Sequence, residues 1–261
     1  MNDYATLVAA HRQVYEQIEQ VMAAADDDGL ARRSLCPDWD IRTCLAHGVG
    51  IDKVITGWGP DPDDLFSFGE VAAWMKEMAN VDRDAFVATL TQIASERLAD
   101  LEARDPSVVD APCQTPVGLQ TFGGMLEIRV FDLWVHARDC ALPLGLPLPD
   151  DGPAAEIALG QVHRSMGYIA GKKIGLEEGL SLSVEVTGGA ARTFHVEVDG
   201  RATLVDELQA PTATLRADTE TFIMLACGRV DPQERIDAGR ISWTGDPVWG
   251  ERAARNLRFT M

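Results

Sequence analysis

No stretch of this chain approaches the ~18 consecutive apolar residues that a membrane-spanning helix needs, which excludes a helical membrane protein. Its opening residues, Met1-Asn2-Asp3-Tyr4, lack the basic head and apolar stretch of a secretory signal, so a cytoplasmic location is expected. Basic residues are scarce. The 23 Lys and Arg stand against 41 Asp and Glu, for a net charge of −18. Such a surface repels phosphate backbones and anionic lipid, so neither nucleic acid nor a membrane is an expected partner. Cysteines are few as well: the five at 36, 44, 113, 140 and 227 are odd in number and form no C-x-x-C pair. That pattern argues for reduced thiols rather than a disulfide framework. The chain also lacks a P-loop, a dinucleotide fingerprint and a G-x-S-x-G elbow, and shows no internal repeat or low-complexity tract.

What is present is the composition of a soluble globular protein, 46% hydrophobic and 25% charged over 261 residues. The negative charge is uneven. Residues 1–150 hold 25 acids and 11 bases, the rest 16 and 12. An anionic substrate would therefore need local arginines, not the overall field. Tyr4, Leu7, His11, Val14, Ile18 and Val21 recur three and four apart, the inward stripe of a bundle helix that Asp26-Asp27-Asp28-Gly29 is expected to end. Asp40 reads as the N-cap of a second helix over Ile41–Thr56. A shorter helix is expected over Phe68–Met78, and long ones over Asp82–Ala103 and Phe122–Cys140, with the proline-bearing segment between these two read as loop. Four long helices suffice for a bundle.

The run A-L-P-L-G-L-P-L-P-D-D-G-P at 141–153 is the clearest domain boundary. Beyond it a helix over Ala154–Ala170 precedes strands at Leu180–Val186, Thr193–Val198, Ala202–Val205, Ala213–Ala217 and Arg240–Thr244. Helices at Thr219–Ala226 and Pro247–Leu257 complete the pattern. The expected fold is α+β: a four-helix bundle over 1–148, then a smaller α+β domain over 149–261.

Asp132 and His136 stand at i, i+4 and share one helix face. His47 lies on the second helix in a stripe with Cys44, Ile51 and Val54. Two donors from one helix and a third from a facing helix is how bundles build metal sites. Two imidazoles with a carboxylate is a ligand set of catalytic zinc sites that leave a position open. On spacing alone, Asp132 and His136 are equally a surface pair and His47 a hydrogen-bonded core histidine. Arg129 is placed to orient Asp132, or to pair near Glu127 or with Asp139. Asp139 is either a partner of the site or a solvated acid. Cys44 and Cys140 fall near the histidines and read first as small core residues. His11 points inward, Trp39 reads as a packing residue of its turn, and His163 and His195 have no nameable partner.

C-P-D-W-D-I-R-T-C-L-A-H, from Cys36 to His47, resembles the start of helix two in the DinB-like, mycothiol-dependent maleylpyruvate isomerase family, where a Cys-Pro-Gly-Trp-like turn leads through a capping residue to a His. R-V-F-D-L-W-V-H-A-R-D, from Arg129 to Asp139, is similar to the family's second signature. The C-terminal half resembles its appended sterol-carrier-like domain, with Gly228-Arg229 and Gly245-Asp246 steps before the last helix. The resemblance implies that His47, Asp132 and His136 bind a divalent metal, zinc by preference. It also implies that Arg229 holds a substrate carboxylate or enolate. Asp132 departs from the family's usual Glu by one methylene, and Thr43 from the acid that a capping box favours.

The activity so implied is that of a mycothiol-using enzyme in which the metal lowers the pKa of a small actinobacterial thiol. Thiolate addition to an electrophilic substrate leads to cis–trans isomerisation if the adduct rotates and expels the thiol, and to S-transfer if the adduct is kept. The partners implied are a small thiol and a small electrophile, with the protein a monomer or weak homodimer. Two other classes stay open: a non-catalytic metal-containing carrier or stress-related binding protein, and a hydrolase using zinc-bound water.

Overall fold

The computed structural model describes residues 2–259, which divide between Pro149 and Asp150 into two compact units. The first contains α1 (Tyr4–Ala24), α2 (Asp27–Leu30), α3 (Ile41–Ile55), α4 (Phe68–Met78) and α5 (Arg83–Ala103). A 3-10 turn (Pro106–Asp110) follows, then strands β1 (Pro112–Thr115) and β2 (Gly118–Thr121), then α6 (Phe122–Leu144). Every long helix starts on a side-chain cap. Asp3, Asp40, Asp82 and Thr121 accept the N–H of Thr6, Thr43, Ala85 and Gly124, each such cap contributing about 1 kcal/mol.

The four long helices of the bundle are α1, α3, α5 and α6. Helix α6 packs against α1 and α3, and α5 packs against the same two. Helix α6 is buried on nearly every side, with Leu126, Val130, Leu133, Trp134 and Ala137 wholly buried beside the polar Arg129, His136, Arg138 and Asp139.

Three local readings change. The aspartate run does not end α1, which stops at Ala24; Asp26 instead caps α2 by accepting the Gly29 N–H at 2.8 Å. The segment read as proline loop holds an antiparallel hairpin, β1 with β2, paired from Pro112↔Thr121 to Thr115↔Gly118. Pro112 sits at the first residue of its strand, where a missing N–H is tolerated. Helix α6 continues past Cys140 through Pro143 and ends at Gly145, whose φ of 69° closes it in the left-handed region. Pro143 has no N–H for the Asp139 carbonyl one turn back. The Leu35 N–H takes that carbonyl at 2.9 Å, so the proline turns a helix carbonyl into a docking point for the Cys36 turn.

The second unit contains α7 (Gly152–Arg164), α8 (Met166–Tyr168), a π-type turn (Ile169–Ile174), β3 (Ser181–Thr187), β4 (Arg192–Asp199) and β5 (Arg201–Val205). It continues with β6 (Ala213–Asp218), α9 (Thr219–Ala226), α10 (Pro232–Asp237), β7 (Ile241–Gly245) and α11 (Pro247–Arg255). Its sheet has the order β5-β4-β3-β6-β7, antiparallel except where β3 runs parallel to β6. Alternate residues Leu182, Val184 and Val186, Phe194 and Val196, and Ala213, Leu215 and Ala217 are buried, the period of a half-buried strand. The single helix expected over Ala154–Ala170 is broken at Ser165. Beyond the break α8 lies close on β5: a Cβ at Gly167 would come within 2.9 Å of the Ala202 carbonyl oxygen. Helix α10, unforeseen, is capped by Asp231 with Pro232 in its first turn. Among the described residues no helix is long and apolar enough to cross a membrane.

Candidate metal centre

Helices α3 and α6 bring His47, Asp132 and His136 together, with one ligand atom of each lying within 4.8 Å of the others. Asp132 Oδ1 is 3.4 Å from His136 Nε2. The two imidazoles meet edge to face, centroids 5.2 Å apart at 83°. Donors about 2.1 Å from a tetrahedral ion lie about 3.4 Å from each other, so the Asp132–His136 pair already has ligand spacing.

The surrounding groups fix these donors. His136 turns its other nitrogen, Nδ1, to Asp139 Oδ2 at 3.0 Å, the carboxylate partner that metal-bound histidines use to set tautomer and ring orientation. Arg129 donates from Nη1 to Asp132 Oδ2 at 2.6 Å, and from Nη2 to the Gly48 carbonyl at 2.9 Å. It also pairs with the wholly buried Asp52 at 3.2 Å. Asp132 thus has one oxygen held by Arg129 and the other turned to His136. Trp39 lies against both rings, 4.7 Å from His47 and 6.1 Å from His136 between centroids.

Behind His136 lies a second group. Cys36 Sγ approaches Asp139 Oδ2 at 3.1 Å, and the Cys36 and Cys44 sulfurs each stand 3.5 Å from His136 Nδ1. All five cysteines are free thiols.

Residues 11–141 match the family model for the mycothiol maleylpyruvate isomerase N-terminal domain, and residues 156–254 match that for the C-terminal domain of the same enzyme. The chain belongs to the mycothiol-dependent maleylpyruvate isomerase family. A crystal structure of a histidine-to-alanine variant of a mycothiol-dependent maleylpyruvate isomerase is similar over 94% of this chain and 96% of that one, at 11% identity and a TM-score of 0.61. A second crystal structure of such an isomerase covers 88% and 93%, at 13% identity and a TM-score of 0.60. At these identities the likeness is one of fold. No curated protein sequence matches the chain.

The electrostatics of this family member suit the donor set. Burial holds the His47 pKa at about 4, so its ring is neutral and able to ligate at neutral pH. Burial also opposes ionisation of Asp132, but His136, Arg129 and His47 outweigh it and hold the carboxyl well below the usual range. For His136, burial opposes the charged form, yet Asp132, Cys44 and Asp139 prevail and raise its pKa. A metal ion arriving there therefore displaces a proton. Two imidazoles and a carboxylate with an oriented outer partner fit a borderline divalent ion such as zinc.

Arg229 belongs to the second unit, in the turn that ends α9. It is half-buried, its N–H donates to the Met224 carbonyl at 2.9 Å, and Gly228 before it has a φ of 68°. Among the other residues singled out, Arg129 pairs with Asp132 and Asp52 rather than with Glu127 or Asp139. His11 is wholly buried, with burial lowering its pKa to about 4. His163 stacks on Phe194 at 4.4 Å, and His195 Nδ1 meets Ser183 Oγ at 2.8 Å. Sequence reasoning missed Asp52 and the placement of Cys36. For Asp52 the available signal was an acid set among Val49, Ile51 and Ile55 near the end of α3.

Proposed function

We propose that this protein is a metal-dependent, mycothiol-using enzyme that isomerises a small electrophilic substrate or transfers the thiol to it. His47, Asp132 and His136 hold a divalent ion, zinc by the character of the donors. When bound, that ion lowers the pKa of a thiol so that the thiolate, the real nucleophile, exists at neutral pH. Asp139 holds the His136 ring with Nε2 directed at the site, and Arg129 holds Asp132. Both donors, His136 and Asp132, are thus placed before any ligand arrives, which limits the reorganisation that binding demands. Trp39 fills the space beside the imidazoles and supplies an apolar wall. Arg229, from the second unit, neutralises the charge that develops on a substrate carboxylate or enolate as the thiolate adds to the electron-poor carbon.

The observation that carries this reading is the convergence of two imidazoles and an arginine-held carboxylate within 4.8 Å, in a chain of this family. Elemental analysis of the purified protein, with His47→Ala and His136→Ala beside it, tests it. Near-stoichiometric metal in the native protein, lost from both variants at unchanged helical content, is expected. Mycothiol should then bind with release of about one proton, read by calorimetry in two buffers of different ionisation enthalpy. Negligible metal together with no thiol binding would overturn this reading and favour a non-catalytic binding protein. Arg229→Ala should keep the metal and lose turnover by orders of magnitude, and Arg229→Lys should recover little, since a point charge does not replace a bidentate fork.

A further inference from the structure

The group behind His136 has its own composition and geometry. Cys36, Cys44, His136 and Asp139 are 6%, 0%, 8% and 0% exposed, and one ligand atom of each lies within 4.8 Å of the others. The separations around His136 Nδ1 are 3.0 Å to Asp139 Oδ2 and 3.5 Å to each sulfur, with Cys36 Sγ 3.1 Å from the same carboxylate oxygen. For a tetrahedral ion bound at about 2.0–2.3 Å, neighbouring donors lie about 3.4–3.8 Å apart, so these four pairs stand within about half an ångström of ligand spacing.

Packing alone does not account for the set. Thiols are weak donors, and the His136 ring already serves the buried Asp139 carboxylate at 3.0 Å, so two sulfurs converging on the same pair add little as hydrogen-bond partners. The frame is also held in place. The Leu35 N–H is fixed on the Asp139 carbonyl and the Cys36 N–H on Ser34 Oγ at 3.1 Å, while Cys44 lies in the first turn and a half of α3.

We propose that Cys36, Cys44, Nδ1 of His136 and Asp139 form a second metal site, selective for a soft, thiophilic ion such as Cd2+ or Cu+, whose filling withdraws His136 from His47 and Asp132. Softness follows from the two sulfurs, which favour such ions over the harder ones that carboxylate and imidazole accept. Exclusivity follows from the imidazole itself. A neutral ring offers one lone pair, so coordination through Nδ1 leaves the proton on Nε2, the nitrogen that faces Asp132. Each thiol, and the charged His136 ring from its Nδ1, passes a proton to solvent as the new metal–ligand bond replaces a bound water, and no oxidant or reductant takes part. The two sites thus share one ligand, and a thiophilic ion acts on the protein as a competitive inhibitor of metal loading. The antagonism rests on the proposed site at His47, Asp132 and His136, whereas the thiol site itself requires the thiols and not mycothiol.

Cd2+ alone, titrated into metal-free full-length protein, tests it. One equivalent should give a thiolate-to-metal charge-transfer band that persists in His47→Ala and disappears in Cys36→Ser/Cys44→Ser. Cd2+-loaded protein should take up zinc at least tenfold more weakly than the metal-free protein, and the double serine variant should show no such antagonism. Should the serine variant misfold, alkylation with mass mapping of the native protein decides, since Cd2+ should protect Cys36 and Cys44. Absence of the band, its survival in the double variant, protection confined to the other cysteines, or full zinc uptake beside bound Cd2+ would overturn the proposal. A band in His47→Ala with no zinc in the native protein would overturn the enzyme reading and leave this one standing.

Discussion

Arg129→Met removes the one guanidinium that touches both Asp52 and Asp132, and the structure separates its two effects. Arg129 and Asp52 are 2% and 0% exposed. Deleting the cation strands a carboxylate in the bundle core, and breaking a buried pair in this way costs about 3–5 kcal/mol. Against a total stability of about 5–15 kcal/mol, that is a large loss. At an m-value of about 2 kcal/mol/M in urea it lowers the midpoint by about 2 M. The measurement belongs on metal-free protein, because a bound ion would add its own stabilisation by mass action. The second effect is on Asp132, which loses the 2.6 Å bond that parks one oxygen; loss of such an outer partner weakens metal binding about 10–100-fold. The double variant Arg129→Met/Asp52→Leu should recover most of the stability, since no charge is left stranded, and none of the metal affinity. A single variant destabilised by less than about 1 kcal/mol would refute the buried-pair argument, and wild-type affinity in the double variant would refute the positioning of Asp132.

Asp132→Glu should retain the metal, whereas Asp132→Asn should lose affinity with the charge, both read by competition with a chromogenic chelator. Because the His136 pKa is raised above 6.5, metal must displace a proton there at any pH below the raised value. Apparent affinity should then climb about tenfold per pH unit through neutrality and level off above that pKa, and a flat profile would mean that His136 is not a ligand. His47, at about 4, adds further proton competition only near and below that pH. Asp38, with a φ of 66°, is the one non-glycine residue in the left-handed region among the described residues. Its ion pair with Arg33 is long at 3.7 Å and exposed, so Asp38→Gly should stabilise by about 0.5–1 kcal/mol. An unchanged or lower melting temperature would show that its side chain does more than the contacts seen.

The long helices were legible because their stripes repeat three and four apart and begin on aspartate or threonine caps. The Asp132–His136 pair was legible for the same reason: one helix face fixes it locally. What joined them was not. Asp52 and Arg129 are 77 residues apart, and nothing within α3 says which cation neutralises its acid. The hairpin was hidden by Pro112 and Pro116, which ordinarily signal loop but here occupy the start of a strand and a turn. The Cys36 cluster was hidden more deeply, since it depends on Pro143 freeing the Asp139 carbonyl for Leu35. Sequence patterns report what a residue does to its own helix or strand. They do not report which distant N–H collects the carbonyl that a proline leaves behind.

His47 and Asp132 are 85 positions apart, and the chain between them supplies α4, α5 and the β1–β2 hairpin. An ion held by both is therefore a removable cross-link closing a very long loop. A permanent link around a loop of roughly 100 residues restricts the unfolded chain by about 4–5 kcal/mol in chain-entropy terms. A reversible link gives part of that, for as long as the ion stays. In the unfolded chain only the i, i+4 pair of α6 lies near itself, so the ion finds no third protein donor until α3 has docked. Metal occupancy of this proposed site would thus register completed assembly of the bundle rather than the formation of any one helix. Without the ion, the intervening α4, α5 and hairpin keep only packing and hydrogen bonds such as those of Arg83 to Met22 and Ala25 and of Tyr4 to Leu101, and a protease should find that stretch sooner than in the loaded protein.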